Sequence, residues 1–362
     1  MYQADLTRLK LCMERAGRGE EVTVAFLGGS ITQGSLASDH NHTYAYRVFE
    51  WWRRSFPDAV IHYVNAGIGG TTSHYGVSRV ITDVLVYRPD FVVVDFSVND
   101  DADSFFQETY EGTLRKLLSW ESRPAVLLLN NVFYDTGANA QEYHNEVGAW
   151  YKVPYVSIKD TVYQRMKAGA YTREELTSDG LHPSDKGHEL VAGEIISFLE
   201  QVKAMEPGIR ESSQEKETKL PLPMTANAYE NAKRLTCRDI NPVLSGFCAD
   251  DREKTGYLDH FKQGWMGKQP GDGILFEVEA SCIAVQYRKT IKRPAVSAEV
   301  IVDGDRKHAI LLDGNNEEDW GEWICLQPVL HHGKRMRHTV ELLVPETPQV
   351  GTPFYLLSLI IA

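Results

Sequence analysis

The sequence predicts a doubly wound α/β domain on a parallel sheet, followed by an all-β sandwich of jelly-roll type. Two patterns carry that prediction. From residue 6 to 203, apolar strands alternate with helical stretches, the signature of a sheet built with crossover helices. From about residue 224, short strands recur between Gly, Asp and Asn turns. Between them, residues 204–223 are polar and charged and end in Pro221 and Pro223, which reads as a linker. The expected organisation is therefore a first domain over 1–203, a linker over 204–223 and a second domain over 224–362.

In the first domain, strands are expected at 22–27, 60–64, 90–96, 125–130 and 154–157. Helices are expected near 5–17, 43–55, 75–86, 105–119, 139–150 and 185–203. In the second, strands are expected at 274–279, 282–289, 297–303, 307–312, 322–326, 337–344 and 353–361. No internal repeat or low-complexity tract is visible.

The first strand, Val22-Thr23-Val24-Ala25-Phe26-Leu27, runs into Gly28-Gly29-Ser30-Ile31-Thr32. A strand that ends this way lifts its last residues to the carboxyl edge of the sheet, where open α/β folds bind ligands. Glycine permits a sharp turn and a close approach of substrate. A serine at that point is either a helix N-cap or a nucleophile whose backbone N–H faces a developing oxyanion.

Ser178-Asp179-Gly180-Leu181-His182-Pro183 decides between these readings. An aspartate three residues before a histidine, in a Gly/Pro loop, can curl back to accept the histidine Nδ1–H. The ring is then held in the tautomer that takes a serine proton at Nε2. Ser30, Asp179 and His182 are the expected catalytic residues. Asn65-Ala66-Gly67-Ile68-Gly69-Gly70 follows the short strand His62-Tyr63-Val64, and Val92-Val93-Val94-Asp95-Phe96-Ser97-Val98-Asn99-Asp100 is a buried strand ending in polar residues. The Gly70 N–H and the Asn99 amide, brought beside the Ser30 N–H, would complete an oxyanion hole.

These four segments resemble the blocks of the SGNH, or GDSL-type, hydrolase superfamily over the first 200 or so residues. The resemblance implies that Ser30 is the nucleophile, His182 the base and then the acid, and Asp179 the orienting carboxylate. It gives Ser30, Gly70 and Asn99 as the oxyanion donors. Two positions depart from the family pattern. Gly29 stands where an aspartate is usual, and Ser97 where a glycine is usual. The Gly-Gly-Ser-Ile-Thr version resembles carbohydrate esterases more than lipases, so these departures are expected to bear on substrate.

The second domain shows no second nucleophile–base pair. Phe261, Trp265, Trp320 and Trp323 lie near Gly-rich or acidic turns, and aromatic rings on the loops of a β-sandwich suit stacking on sugar rings. Trp323 reads as core. Trp265, between Gly264 and Gly267, reads either as core or as a turn residue able to bind substrate, and Trp320 lies between these cases. The whole layout resembles the two-domain mannan acetylesterases of carbohydrate esterase family 17, in which a module like the family 35 carbohydrate-binding modules follows the hydrolase. The resemblance implies an acetylated oligosaccharide as substrate and no cofactor.

Other chemistries fit less well. Gly29 to Ser35 has P-loop glycine spacing, but Ser35 stands where the phosphate-binding lysine belongs. Asp39-His40-Asn41-His42 offers no third metal ligand of matching spacing; His40 is instead expected to contact substrate, and no metal is expected. Asp100, Asp101 and Asp103 read as a solvated acidic loop rather than a calcium site, with Asp100 a further candidate for substrate contact. His188 reads as a packing histidine.

The 362 residues carry a net charge of −12, which argues against nucleic acid or an anionic membrane as partner. No run of about eighteen apolar residues occurs. The five cysteines are odd in number and scattered, and the first residues lack a secretory layout, so a cytoplasmic protein is expected. Assembly as a homo-oligomer is compatible with the sequence. Hydrolysis of lipid esters or thioesters remains the alternative within enzymes. A carbohydrate-binding protein with an inactive hydrolase domain is the alternative outside them.

Overall fold

The computed structural model describes residues 3–205, 219–256, 259–346 and 351–362. The chain forms two compact units, Met1–Glu230 and Asn231–Ala362.

The first unit holds five parallel strands: β1 (Val22–Gly28), β2 (Ile61–Gly67), β3 (Phe91–Asp95), β4 (Ala125–Asn130) and β5 (Tyr155–Ser157). Their order is β2-β1-β3-β4-β5. Its helices are α1 (Thr7–Gly17), α2 (Ser30–Gln33), α3 (Tyr44–Ser55), α4 (Ser73–Asp83), α5 (Ser104–Ser119), α6 (Gln141–Trp150), α7 (Val162–Lys167), α8 (Arg173–Leu176) and α9 (Asp185–Ala204). Alternate residues of the same strand feed two cores, because side chains on a strand point to opposite faces. Val24 and Phe26 join α1, α3 and α9 on one face. Ala25 and Leu27 join α4, α5 and α6 on the other. Both sheet faces are covered, which is why these strands read as continuous apolar runs. The topology reverses between β1 and β3, and the crevice beyond their carboxyl ends is where such a sheet binds ligands.

The second unit is a sandwich. One antiparallel sheet has the order β13-β12-β15-β10-β7 and the other β14-β11-β16-β9-β8, with β6 paired to β16. The strands are β6 (Lys233–Leu235), β7 (Val243–Ser245), β8 (Cys248–Ala249), β9 (Trp265–Gly267), β10 (Gly273–Ala280), β11 (Ile283–Lys289), β12 (Ala298–Val302), β13 (Ile310–Leu312), β14 (Trp323–Leu330), β15 (Met336–Leu343) and β16 (Phe354–Ile361). Inward residues of both sheets, among them Phe276, Val285, Leu342 and Leu356, form one core.

The long elements fall where the sequence pattern puts them. Four short strands, β6 to β9, and the short helices α2, α7 and α8 carry too few residues to show a period. The expected linker lies mostly outside the described residues, which resume at Lys219. Residues 219–230 belong to the first unit rather than opening the second. The buried Glu111 carboxylate accepts the N–H groups of Met224 (2.6 Å) and Thr225 (2.8 Å), the Thr225 hydroxyl, and the Tyr151 hydroxyl (2.5 Å). Glu108 accepts the Ala228 N–H at 2.8 Å, and Arg115 donates to Pro221 O and to Glu230. A charged acceptor buried on α5 thus holds a segment that the sequence reads as the end of a linker and the start of the second domain.

Glu111→Ala should strip that segment of its main acceptor. Charged hydrogen bonds contribute about 1.5–3 kcal/mol each, so the first unit should lose on the order of 3 kcal/mol. Chemical denaturation should report that loss, and limited proteolysis should cut the variant within residues 219–230 where the parent chain resists.

Candidate active site

Ser30 is the first residue of α2, directly beyond β1, so its N–H has no acceptor within that helix. It is largely buried, at 8 % exposure. Its hydroxyl donates to His182 Nε2 at 2.7 Å, and His182 Nδ1–H donates to Asp179 Oδ2 at 2.6 Å. The other oxygen, Asp179 Oδ1, accepts the backbone N–H groups of His182 (2.8 Å) and Leu181 (3.0 Å) and the Thr177 hydroxyl (3.1 Å). Burial acts to raise the Asp179 carboxyl, but these bonds outweigh it and hold the group at about 2. The carboxylate is therefore ionised throughout the neutral range, which keeps the imidazole in the tautomer that accepts at Nε2.

The Asp179–His182 loop is held from outside. Arg173 forks onto Asp135 at 2.8 and 3.1 Å and donates to Ser178 O at 3.1 Å. Tyr134 N–H donates to Gly180 O at 2.7 Å. Ser184 caps α9 through the Gly187 N–H and donates its hydroxyl to Glu175 O. At the start of α9, Asp185 accepts both the N–H and the hydroxyl of Ser38, each at 2.7 Å. His188 is the packing residue expected of it: Nδ1 accepts the Tyr44 N–H, Nε2 faces Ser35 O, and burial holds the ring down to about 4.

The segments carrying Gly70 and Asn99 come to the same place. A Cβ on Gly29 would stand 2.2 Å from Asn99 Oδ1, so the amide is seated against the residue before the serine. A Cβ on Gly69 would stand 3.8 Å from Ser30 Cβ, which puts the Gly69-Gly70 turn against the serine itself. Gly70 has a φ of +66°, open to glycine at no cost. Gln33 Oε1 accepts the Gly69 N–H at 2.6 Å and steadies that turn. The fully buried guanidinium of Arg79 joins the ends of β1 and β2 by donating to Gly28 O (3.1 Å) and Ala66 O (2.7 Å).

The two departures from the family pattern are internal. Gly29 makes room for the Asn99 amide, and buried Ser97 donates its hydroxyl to Asn131 O at 3.0 Å. Gly29 thus sets the space in which the Asn99 amide is seated, and Ser97 ties its loop to the residue after β4.

The expected substrate contacts divide. Trp265 is 1 % exposed, lies in β9 and packs edge-on against Phe276 at 5.2 Å, so it is core. Its flanking glycine suggested a turn because glycine also serves close backbone approach: a Cβ on Gly264 would stand 2.2 Å from Leu356 O. Asp100 is buried and engaged by Ser73 N–H and His144, so it is neither a substrate contact nor part of a solvated loop. Asp101 is exposed, and Asp103 caps α5 through the Phe106 N–H. Trp320 is 59 % exposed and stands 6.4 Å from Trp323, which is itself partly exposed rather than core. His40 is exposed, with its ring 4.6 Å from Tyr46 and 5.5 Å from Tyr63. Asp39 caps the short turn at 40–42 and binds His42 Nδ1 at 2.9 Å, an ordinary local arrangement. Sequence reasoning missed Thr177, Asp135, Arg173, Gln33 and Arg79, which carry no local motif.

Below the serine lies a second buried carboxyl. Asp95, at the end of β3, accepts from the Thr32 hydroxyl (2.9 Å) and Asn131 Nδ2 (3.0 Å), and Thr32 in turn takes the Tyr44 hydroxyl proton at 2.6 Å. Burial pushes the Asp95 carboxyl from 3.8 up to about 7, against those two hydrogen bonds. As pH rises, the unfolded chain therefore releases this proton before the folded one does. Stability from this group is fully present below pH 4 and falls between pH 4 and 7. Asp95→Asn keeps the size and the shared acceptor but cannot ionise. Its stability relative to the parent should rise across that window, by on the order of a few kcal/mol at pH 8. Denaturation curves at a series of pH values check this, and parallel pH profiles would refute it.

Residues 26–190 match the model of the GDSL-like lipase/acylhydrolase family. The chain is 26 % identical to an acetylxylan esterase of Geobacillus stearothermophilus over 217 residues, covering 52 % of this chain and 96 % of that protein. It is 22 % identical to an arylesterase of Vibrio mimicus over 214 residues, covering 53 % of this chain and 96 % of that protein. Both likenesses are confined to about half of the chain. A crystal structure of a two-domain esterase, CEX, active on acetylated mannans and co-crystallised with mannopentaose, is similar over both units. The TM-score is 0.94 and the identity 47 %, covering 99 % of this chain and 95 % of that one.

Proposed function

The chain belongs to the GDSL-like lipase/acylhydrolase family and is a carboxylic ester hydrolase, and from that premise we propose that it removes O-acetyl groups from manno-oligosaccharides through an acetyl-serine intermediate. The observation that carries the chemistry is the unbroken relay Ser30 Oγ–His182 Nε2, His182 Nδ1–Asp179 Oδ2. The same intact relay speaks against an inactive hydrolase domain. The likeness of both units to an esterase active on acetylated mannans supports the sugar class.

In this reading, Ser30 Oγ attacks the acetyl carbonyl while His182 Nε2 takes its proton. The carbonyl oxygen becomes an oxyanion received by the Ser30 and Gly70 N–H groups and the Asn99 amide. As the tetrahedral adduct collapses, His182 returns the proton to the departing sugar oxygen. Water then enters, gives its proton to His182 and attacks the acetyl-serine carbonyl. A second collapse releases acetate and restores the Ser30 hydroxyl. Asp179 stays ionised through the cycle and stabilises the imidazolium formed at each step.

Trp320, an exposed ring on the second unit, is the residue we assign to stacking on a sugar, and exposed His40 is a further sugar contact. All five cysteines are free thiols. This supports a reducing, cytoplasmic setting and imported oligosaccharides as substrate. Among the described residues, no helix is long and apolar enough to cross a membrane.

Ser30→Ala should lower turnover of 4-nitrophenyl acetate by at least about 10³-fold with the fold intact. Mass spectrometry of acetylated manno- and xylo-oligosaccharides incubated with the parent chain should show acetyl loss from the manno series. Loss from the xylo series alone would overturn the sugar assignment. Trp320→Ala should cost more on the acetylated oligosaccharide than on the small ester, and equal effects would remove Trp320 from the binding surface.

A further inference from the structure

Asp100 follows Asn99 directly, and Phe96 O accepts the N–H groups of both residues at 2.9 Å, so the two leave β3 on one tight turn. The Asp100 side chain is fully buried, and its two oxygens serve different segments. Oδ1 accepts the N–H of Ser73 at 2.8 Å. Ser73 opens α4 three residues after Gly70, and the Thr71 hydroxyl closes the intervening turn on Ile68 O at 2.7 Å. The N-cap residue of α4, Thr72, makes no side-chain cap bond. A helix start leaves N–H groups without partners, and here a carboxylate from another loop supplies the acceptor.

Oδ2 accepts from His144 Nε2 at 3.0 Å. His144 sits fully buried on α6, with its ring stacked flat on Tyr110 at 3.7 Å and 2°. Its Nδ1 has no hydrogen-bond partner among the described residues. Packing against Tyr110 would be served as well by a phenyl ring, which would not bury a bare nitrogen. The bond to Asp100 is what the imidazole adds. The same helix is joined to the Asn99 loop a second time, through Ala140 N–H to Ser97 O at 2.7 Å.

We propose that Asp100 and His144 are positioning residues for the oxyanion hole: one carboxylate, oriented by the histidine, fixes the loop presenting Asn99 relative to the helix start that follows Gly70. The proposal rests on the reading of Asn99 and Gly70 as oxyanion donors. The three donors lie on three separate segments, and the spacing of Gly70 and Asn99 decides how well both reach the oxygen that the Ser30 N–H receives. Misplacement by about 1 Å can cost roughly 10²-fold in rate. The pair therefore acts on the transition state and leaves ground-state binding of the ester alone.

The test compares Asp100→Ala, His144→Phe and Asn99→Ala in the full chain, with active enzyme counted by fluorophosphonate titration. His144→Phe keeps the ring against Tyr110 and removes only the hydrogen bond. Each substrate curve is taken on 4-nitrophenyl acetate, with an alkylboronic acid as tetrahedral mimic and acetate as ground-state competitor. Asp100→Ala should lower kcat by about 10²-fold and His144→Phe by about 10-fold, with KM within twofold. Boronate inhibition should weaken in parallel and acetate inhibition stay unchanged. A purely structural role would lower the melting temperature yet leave kcat and boronate affinity at parent values, which overturns the proposal. Asn99→Ala should lose roughly 10²–10³-fold in kcat. If it does while the other two variants match the parent, only the positioning claim fails. If Asn99→Ala matches the parent, the oxyanion reading fails and takes the proposal with it.

Discussion

The hydrogen bond from the Ser30 hydroxyl to His182 Nε2, 2.7 Å long, joins residues 152 positions apart, and a ring of polar contacts around both ends serves to keep it. A serine hydroxyl has little nucleophilicity without an adjacent base, and the bond must hold to within a fraction of an ångström to be useful. One end is fixed by β1, whose neighbours on both sides are strands, and by the four-residue helix that begins at Ser30. The other end is a loop, which would wander if left to its own turns. Asp179 gathers four donors, Arg173 braces the loop from Asp135, and Asp185 and His188 tie the following helix to the segment after the serine. A site on loops is made rigid here by side chains that gather the loop's own N–H groups and by side chains that brace it from neighbouring elements.

That rigidity has a cost, visible in three groups under the sheet edge. Arg79 is a guanidinium without exposure, Asp95 a carboxyl displaced toward neutrality, and Asp100 a carboxyl with no contact with solvent. Each would be destabilising alone. Each instead bridges two chain segments: β1 with β2, α2 with the residue after β4, and the Asn99 loop with α4. Apolar side chains could fill the same volumes, but they could not fix a carbonyl or an N–H at a chosen distance from its neighbour. The buried polar groups hold the active-site edge in one arrangement at some expense of stability.

The legible part of the sequence is the part with a local signal. Strands β1, β3 and β4 announce themselves because both of their faces are buried, so nearly every residue is apolar up to the polar residues Asp95 and Asn130 that end β3 and β4. The triad is legible because Asp179 and His182 are three residues apart and the glycines mark the turn before Ser30. Trp265 stays ambiguous in sequence for a physical reason: Gly264 is there for the passage of Leu356 O, and the same letter serves a turn. Asp100 looked solvated because it stands in an acidic run, yet its partners, Ser73 and His144, lie on other elements. Residues 219–223 read as linker and 224–230 as the start of the second domain because their anchor is Glu111, over a hundred positions earlier. Asp135 and Arg173 meet across a gap that no spacing rule covers. What stayed hidden is therefore non-local pairing of polar groups.

This division bears on selectivity. In the proposed reaction the relay and the oxyanion donors act on the acetyl carbonyl, which is the same whatever alcohol carries it. Of the two unusual residues of the motifs, Gly29 leaves room for the Asn99 amide and buried Ser97 bonds Asn131 O. The four blocks therefore have little with which to tell one acetylated sugar from another. Discrimination must come from surfaces that touch the leaving group. Exposed aromatic rings such as His40 and Trp320 have the required chemistry, since an apolar sugar face packs on a ring while its hydroxyls stay wet. A hydrolase of this kind can change substrate by exchanging surface rings and loops while the buried polar frame beneath the site stays as it is.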